Sequence, residues 1–351
     1  MSCRPFFAVP ASDVTPAEKP FPVSSRRTLR SVAMDALLFL MVVIWGGNYS
    51  LIKATLAELP PRPFNALRLT FASGVFLLML AWMWTRGPSR ASNARAPDAS
   101  LVNRLLGVTR PTATDWVRIL LTGLIGHTVY QLAFIEGLSR TSASNTALLI
   151  GASPIVVSIF TAVAGHERLS TAHWLGLALS FSGVYLVIGR PDALESSSPG
   201  GDMIMLGAVV CWAGYAVASR SLLDRHSPLF VTGWTMITGT VVFVAAVWQD
   251  VARVDWAALS AGAWSATLLS ALTALNLAYL IYYVSVTRIG VARTSIWTNM
   301  TPLVGMLIAW ASLGELVGAW QVGGAALILA GVGITRIAAR RERELASPPA
   351  E

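Results

Sequence analysis

Charge is what this sequence has least of. Only 13% of its 351 residues are Asp, Glu, Lys or Arg, about half the share of a soluble domain. By contrast, 54% are hydrophobic and the mean hydropathy is +0.60. The deficit extends over most of the chain, which excludes a soluble globular protein and leaves a polytopic membrane protein. Cysteine is also scarce. Cys3 and Cys211 lie in a polar tail and an apolar segment, which argues against a disulfide framework and excludes a cysteine-rich zinc site. No Walker-type loop, HExxH or Cys/His metal set occurs, so no cofactor or metal is expected and the chain does not read as an enzyme. Residues 1–34 lack the apolar core of a cleavable signal peptide, and the first apolar span serves as an uncleaved insertion signal. The net charge of +8 reflects basic residues kept in cytoplasmic loops rather than nucleic-acid binding.

A helix needs about 20 apolar residues to cross the hydrocarbon. Ten such spans are expected, near 35–56, 64–84, 115–136, 143–164, 172–189, 202–222, 229–248, 264–286, 292–313 and 318–337. With both termini inside, 19 of the 26 Lys and Arg fall in cytoplasmic segments and 4 outside (Arg62, Arg140, Arg190, Arg253). The remaining 3, Lys53, Arg68 and Arg118, lie in or at the ends of spans. That bias supports a multi-pass inner-membrane protein with cytoplasmic tails, 1–34 and 338–351. The tails and loop 85–114 are polar, and no function is assigned to them.

The chain also repeats itself. Arg140, Pro154, Glu167, Gly176, Gly183 and Val184 recur 148 positions later as Arg288, Pro302, Glu315, Gly324, Gly331 and Val332. Trp45-Gly46-Gly47-Asn48 is answered by Trp212-Ala213-Gly214-Tyr215 at an offset of 167, which also pairs Lys53 with Arg220. The longer loop after the second span absorbs the difference. The expected fold is therefore all-α, with ten transmembrane helices in two five-helix repeats, 35–189 and 202–337, joined by the Ser/Pro/Gly-rich linker 190–201. Five is odd, so the second repeat enters the membrane inverted relative to the first, the arrangement of many transporters.

Polar side chains inside a bilayer are default functional candidates. Trp45 and Asn48, beside two glycines, read either as cavity lining or as a small-residue helix contact, the former favoured by the match at Trp212 and Tyr215. His127, Tyr130 and Gln131 share a face of the third span. His127 suits a proton relay, against the blander reading of a neutral ring bonded to another helix. No Asp or Glu falls mid-span, so a carboxylate-based proton or sodium site at the midplane is not expected. Asn276, Tyr279, Tyr282 and Tyr283 lie on the eighth span. With Trp45, Tyr130, Trp212, Tyr215 and Trp297 they suit an aromatic cavity for amphipathic metabolites or organic cations. Asn145, Thr146, Trp297 and Asn299 are placed near that cavity. Trp84, Trp116, Trp248, Trp264 and Trp320 read instead as interfacial belts.

Arg68, about one turn inside the outer face, reads as structural or gating in preference to binding an anionic group, with snorkelling to the interface available to it. Pro154 and Pro302 sit inside spans four and nine and are expected to free the carbonyls of Ile150 and Thr298, with a hinge as one reading. Glu167 and Glu315 are expected to cap or lead the helix that follows each of them.

These features resemble the drug/metabolite transporter superfamily, specifically its ten-helix EamA-type members. The likeness rests on Trp45-Gly46-Gly47-Asn48, on Arg68, and on the repeated stretches from Pro154 to Glu167 and from Pro302 to Glu315. The paired closing glycines fit too. The resemblance implies a central cavity lined by helices one, three, four, six, eight and nine, and alternating access, often in the export direction. The expected function is export of small metabolites, amino acids or related zwitterions first. Multidrug or organic-cation efflux is the near alternative. A lipid-carrier flippase subunit or a non-transporting membrane protein is the alternative of another class. The partners expected are a small-molecule substrate and the bilayer, with no nucleic acid, in a monomer or homodimer.

Overall fold

The computed structural model describes residues 25–85, 110–163, 170–188, 198–289, 294 and 297–346. Most of the N-terminal tail, the end of the C-terminal tail from 347 on, most of loops 85–114 and 190–201, and Glu167 lie outside them. Among the described residues all regular structure is helical. In chain order the helices are α1 (Ser25–Thr55), α2 (Pro61–Thr85), α3 (Ala113–Gly123), α4 (Tyr130–Arg140), α5 (Ala143–Gly151), α6 (Ser153–Val163) and α7 (Thr171–Ile188). They continue with α8 (Pro199–Leu223), α9 (Pro228–Ala246), the short α10 (Trp248–Ala252), α11 (Ala261–Ser270), α12 (Ala278–Ile289), α13 (Thr301–Leu313) and α14 (Ala319–Ala346). One π-helical segment, Leu124–Val129, joins α3 to α4, and a second, Ala271–Leu277, joins α11 to α12.

Helix starts are set by hydroxyl caps. Thr112, Ser142, Ser198, Ser227 and Ser260 each accept a backbone N–H of the first turn of α3, α5, α8, α9 and α11, satisfying donors that a helix end leaves open. Seven helical runs are long and apolar enough to cross a membrane: Ala33–Thr55, Pro61–Thr85, Ala113–Arg140, Ala143–Phe160, Pro199–Leu223, Pro228–Ala246 and Ala261–Ser285. Thr171–Val187, Thr301–Leu313 and Ala319–Thr335 are shorter apolar helices. Each run falls on one of the expected spans. Arg140, expected in a loop, is the last residue of α4, and the expected outer loop after α9 contains α10.

The irregular points recur at the sequence offset. Shifted by 148, Leu124–Val129 falls on 272–277, inside the second π segment. The turn at Ala152 falls on Met300, in the turn that precedes α13. Thr128 donates to the carbonyl of Gly239 at 2.8 Å, and Asn276, 148 positions later, donates to that of Ala72 at 3.2 Å. Ala72 and Gly239 are themselves 167 apart. Some residues touch their own counterparts. Ser73 and Thr240 share a hydrogen bond of 2.8 Å across 167 positions, and Ser180 donates to Ile328 O at 3.1 Å across 148.

The prolines act differently from the expectation. Neither lies in the middle of a continuous helix: Pro154 is the second residue of α6 and Pro302 of α13. In a first turn the missing N–H costs nothing. The carbonyl of Ile150 is not orphaned, because Ser153 Oγ and the Ala152 N–H donate to it.

Small residues bring α7 and α14 together, the packing device of membrane helices. Gly176 packs on Gly331 and Gly183 on Gly324. A Cβ at Gly331 would stand 2.4 Å from Gly176 O and 2.2 Å from Ser180 Oγ, whereas one at Gly333 meets nothing within 4 Å. Gly331→Ala is expected to destabilise the protein by about 1–3 kcal/mol through overpacking. Thermal melting of the full chain in detergent checks this: Gly331→Ala lowers the midpoint and Gly333→Ala does not.

Candidate functional site

Two aromatic groups face each other across the bundle interior. From α1 and α12, Trp45 meets Tyr279 edge-on at 5.9 Å and Tyr282 at 6.1 Å, and Tyr282 meets Tyr283 at 5.4 Å. From α4, α8 and the first π segment, Tyr130 lies 5.3 Å from Trp212, Trp212 lies 5.3 Å from Tyr215, and His127 meets Tyr215 edge-on at 5.2 Å. Tyr279 joins them, being within electrostatic range of Tyr130, Tyr215, Tyr283 and Arg68. The π segments help to aim these rings. Trp45 Nε1 donates to the carbonyl of Ala274 at 3.1 Å, and Gly126 leaves the space that the Tyr215 ring fills. Asn48, one turn from Trp45, accepts from Ser270 at 2.6 Å.

Beside the rings runs a polar stripe of α2. Asn65 and Arg68 are fully buried, and Arg68 is only 1% exposed. Gln131 Oε1 accepts from Arg68 Nη2 at 3.0 Å and from Asn65 Nδ2 at 3.3 Å. The guanidinium carbon lies 5.9 Å and 5.7 Å from the ring centres of Phe64 and Phe134. Arg68 therefore does not snorkel. Among the described residues its Nε and Nη1 have no hydrogen-bond partner, nor has Asn65 Oδ1 or Asn276 Oδ1. Among the described residues no carboxylate lies within ion-pair distance of Arg68.

Charges gather at the end carrying the loop between α1 and α2. A cavity of about 790 Å³ opens there, lined among others by Glu58, Arg62, Glu136, Arg140, Asp250 and Arg253. Arg62 binds Glu136 at 2.7 Å and Asp250 at 3.1 Å. Close by, Lys53 Nζ donates to the carbonyls of Leu138, Ser139 and Thr141. Glu315 accepts from the backbone N–H groups of Ala143 and Ser144 at 2.8 and 2.9 Å. It caps α5, not the helix that follows it, because its two oxygens meet two open donors there. Asn145 also belongs to this end. It donates to Asp202 and accepts from Gln321, away from the aromatic groups.

The expected residues thus divide. Trp45, Asn48, His127, Tyr130, Gln131, Trp212, Tyr215, Asn276 and Tyr279 surround one region. Trp297 packs against the same buried cluster as Trp45, and Asn299 is half-buried in the turn before α13. His127 is buried with both ring nitrogens unpartnered among the described residues, so neither the relay partner nor the expected bond to another helix is present. Trp84, Trp248, Trp264 and Trp320 are exposed, while Trp116 packs on Trp234 at 4.9 Å. Asn65, Thr128, Ser270 and both π segments went unrecognised in the sequence. Asn65 precedes Arg68 by three positions, a spacing that puts both on one helix face and was the signal available.

A Cβ at Gly126 would lie 2.1 Å from Tyr215 Cδ2. Gly126→Ala is expected to cost stability in the native background and little in Tyr215→Ala, with a coupling of about 1–2 kcal/mol in a double-mutant cycle. Melting of the four proteins checks it.

The sequence profile of the EamA-like transporter family matches residues 32–189 and again 199–337. The chain is 29% identical to a probable terminal-alkyne amino-acid exporter of Streptantibioticus cattleyicolor, over 89% of this chain and 96% of that one. It is 28% identical to the uncharacterized transporter YyaM of Bacillus subtilis, over 84% and 92%. A solved crystal structure shares the fold, with a TM-score of 0.57 at 19% identity, over 88% of this chain and 98% of that one.

Proposed function

Because the chain belongs to the EamA-like transporter family, we propose that it exports small metabolites across the inner membrane, with amino acids and related zwitterions as the leading cargo. In this reading ten helices form two inverted five-helix repeats, 35–189 and 202–337, both termini are cytoplasmic, and the two repeats rock about a central site. Support comes from the bias of basic residues, from the π segments and turns recurring at an offset of 148, and from contacts between counterparts, which arise where a two-fold axis passes. One observation carries the cargo: six aromatic rings, those of Trp45, Tyr130, Trp212, Tyr215, Tyr279 and Tyr282, gather with amides and Arg68, and among the described residues no carboxylate lies within ion-pair distance of that cation. Such a lining suits a neutral or zwitterionic amphipath, since multiply charged cargo needs more counter-charge. The cation also makes organic cations the poorer match. The name of the Streptantibioticus relative points the same way.

Proteoliposomes loaded with a mixed metabolite pool, read by mass spectrometry, test this. Wild type is expected to lose a few amino acids selectively, and Trp45→Ala/Asn48→Ala is expected not to. Retention of every small solute by wild type overturns the reading, as does release confined to toxic organic cations.

A further inference from the structure

The stripe on α2 has a chemistry of its own. Asn65, Arg68 and Ala72 are spaced three and four apart and so share one face. On one side of that face Gln131 binds both Asn65 and Arg68. On another, Asn276 of the second π segment binds the carbonyl of Ala72, one turn beyond Arg68. Tyr130 and Tyr279 both lie within electrostatic range of the guanidinium. The arginine therefore feels one ring of each aromatic group.

Arginine cannot shed its charge in a protein. A buried cation without an anion is costly in the hydrocarbon region and marks a functional site. Here Gln131 supplies one neutral oxygen, while among the described residues Nε and Nη1 have nothing to bind. Two acceptors are also unmet among the described residues, Asn65 Oδ1, one turn before Arg68 on α2, and Asn276 Oδ1, on the residue that binds Ala72 one turn beyond it. Unmet donors on a fixed cation and unmet amide oxygens are together the complement of a carboxylate and an ammonium carried on neighbouring atoms.

We propose that Arg68 receives the carboxylate of an α-amino acid and that the amide oxygens of Asn65 and Asn276 receive its ammonium, with the side chain lying among the aromatic rings. This rests on the exporter reading and adds a binding role for Arg68. A single carboxylate matches the one positive charge, and one free donor, Nε or Nη1, together with the second hydrogen of Nη2 offers it two parallel hydrogen bonds. A cargo with the carboxylate masked leaves those donors unpaired, and one that is only a cation is repelled.

The test uses the full chain in proteoliposomes loaded with the proteinogenic L-amino acids. The amino acid released fastest is then compared with its carboxamide, its decarboxylated amine and its desamino acid. Wild type is expected to release the amino acid at least about thirtyfold faster than the amide or the amine. Arg68→Gln and Arg68→Lys, both monodisperse after purification, are expected to lower its release by a similar factor, Lys failing because it keeps the charge and loses the fork. Asn276→Ala is expected to slow the amino acid and spare the desamino acid. Release of amide and amino acid at equal rates by wild type overturns the inference without any variant. So does either Arg68 variant releasing the amino acid within about threefold of wild type. In both cases the exporter reading survives. If wild type releases no amino acid at all, the exporter reading fails and this assignment falls with it.

Discussion

Hydrocarbon offers no hydrogen bonds, so every backbone amide within the bilayer must find its partner inside the protein. That constraint makes helices obligatory and makes each departure from the regular ladder a place where a side chain must intervene. Here those places also join the helices. Trp45 reaches the carbonyl of Ala274 and so ties α1 to the second π segment. Thr128 reaches Gly239, tying the first π segment to α9, and Asn276 ties the second to α2. Lys53 gathers carbonyls around the C-terminal end of α4. The repairs bring polar atoms and aromatic rings into the interior together. The candidate site is thus assembled where the backbone is irregular.

Repetition governs the scaffold but not the lining. Thr128 and Asn276 make equivalent bonds at equivalent carbonyls, and Ser73 meets its counterpart Thr240. Counterparts in the interior differ in kind. Those of His127 and Gln131 are Leu275 and Tyr279, and those of Asn48 and Arg68 are Tyr215 and Thr235. Counterpart contacts therefore recur between the two stretches while the polar side chains between them do not.

Much of this was legible in the sequence. The spans followed from apolar length, and the offsets of 148 and 167 reappear as contacts between Ser180 and Ile328 and between Ser73 and Thr240. Aromatic residues of α1 and α12 meet one another, as do those of α4 and α8. What was hidden was long-range or a matter of backbone geometry. A π turn is one extra residue in a helical turn, and nothing in Leu124–Val129 or Ala271–Leu277 distinguishes it from ordinary apolar helix. Glu315 caps an N-terminus 171 and 172 positions away, beyond any local pattern. Pro154 and Pro302 were read as interruptions because a span was assumed to be one helix, whereas each begins a new one. Asn145 was placed by its position in the chain, and its partner Asp202 belongs to the first turn of α8.

Three of the cations on this side of the bundle, Arg62, Lys53 and Arg68, differ in what neutralises them, and the order is informative. At the mouth of the charged cavity Arg62 has two carboxylates, Glu136 and Asp250. Lys53 has three backbone carbonyls, which carry partial charge only. Arg68, six residues beyond Arg62 and so about 9 Å deeper along α2, has one amide oxygen and the faces of two phenylalanines. Charge compensation weakens from the rim inward while desolvation grows. An anion drawn toward the rim finds Arg62 and Arg140 already paired with carboxylates, whereas Arg68 has one amide oxygen. A purely structural arginine would favour the opposite order, with the deepest charge best paired. The gradient therefore favours a path that leads a single negative charge inward to Arg68.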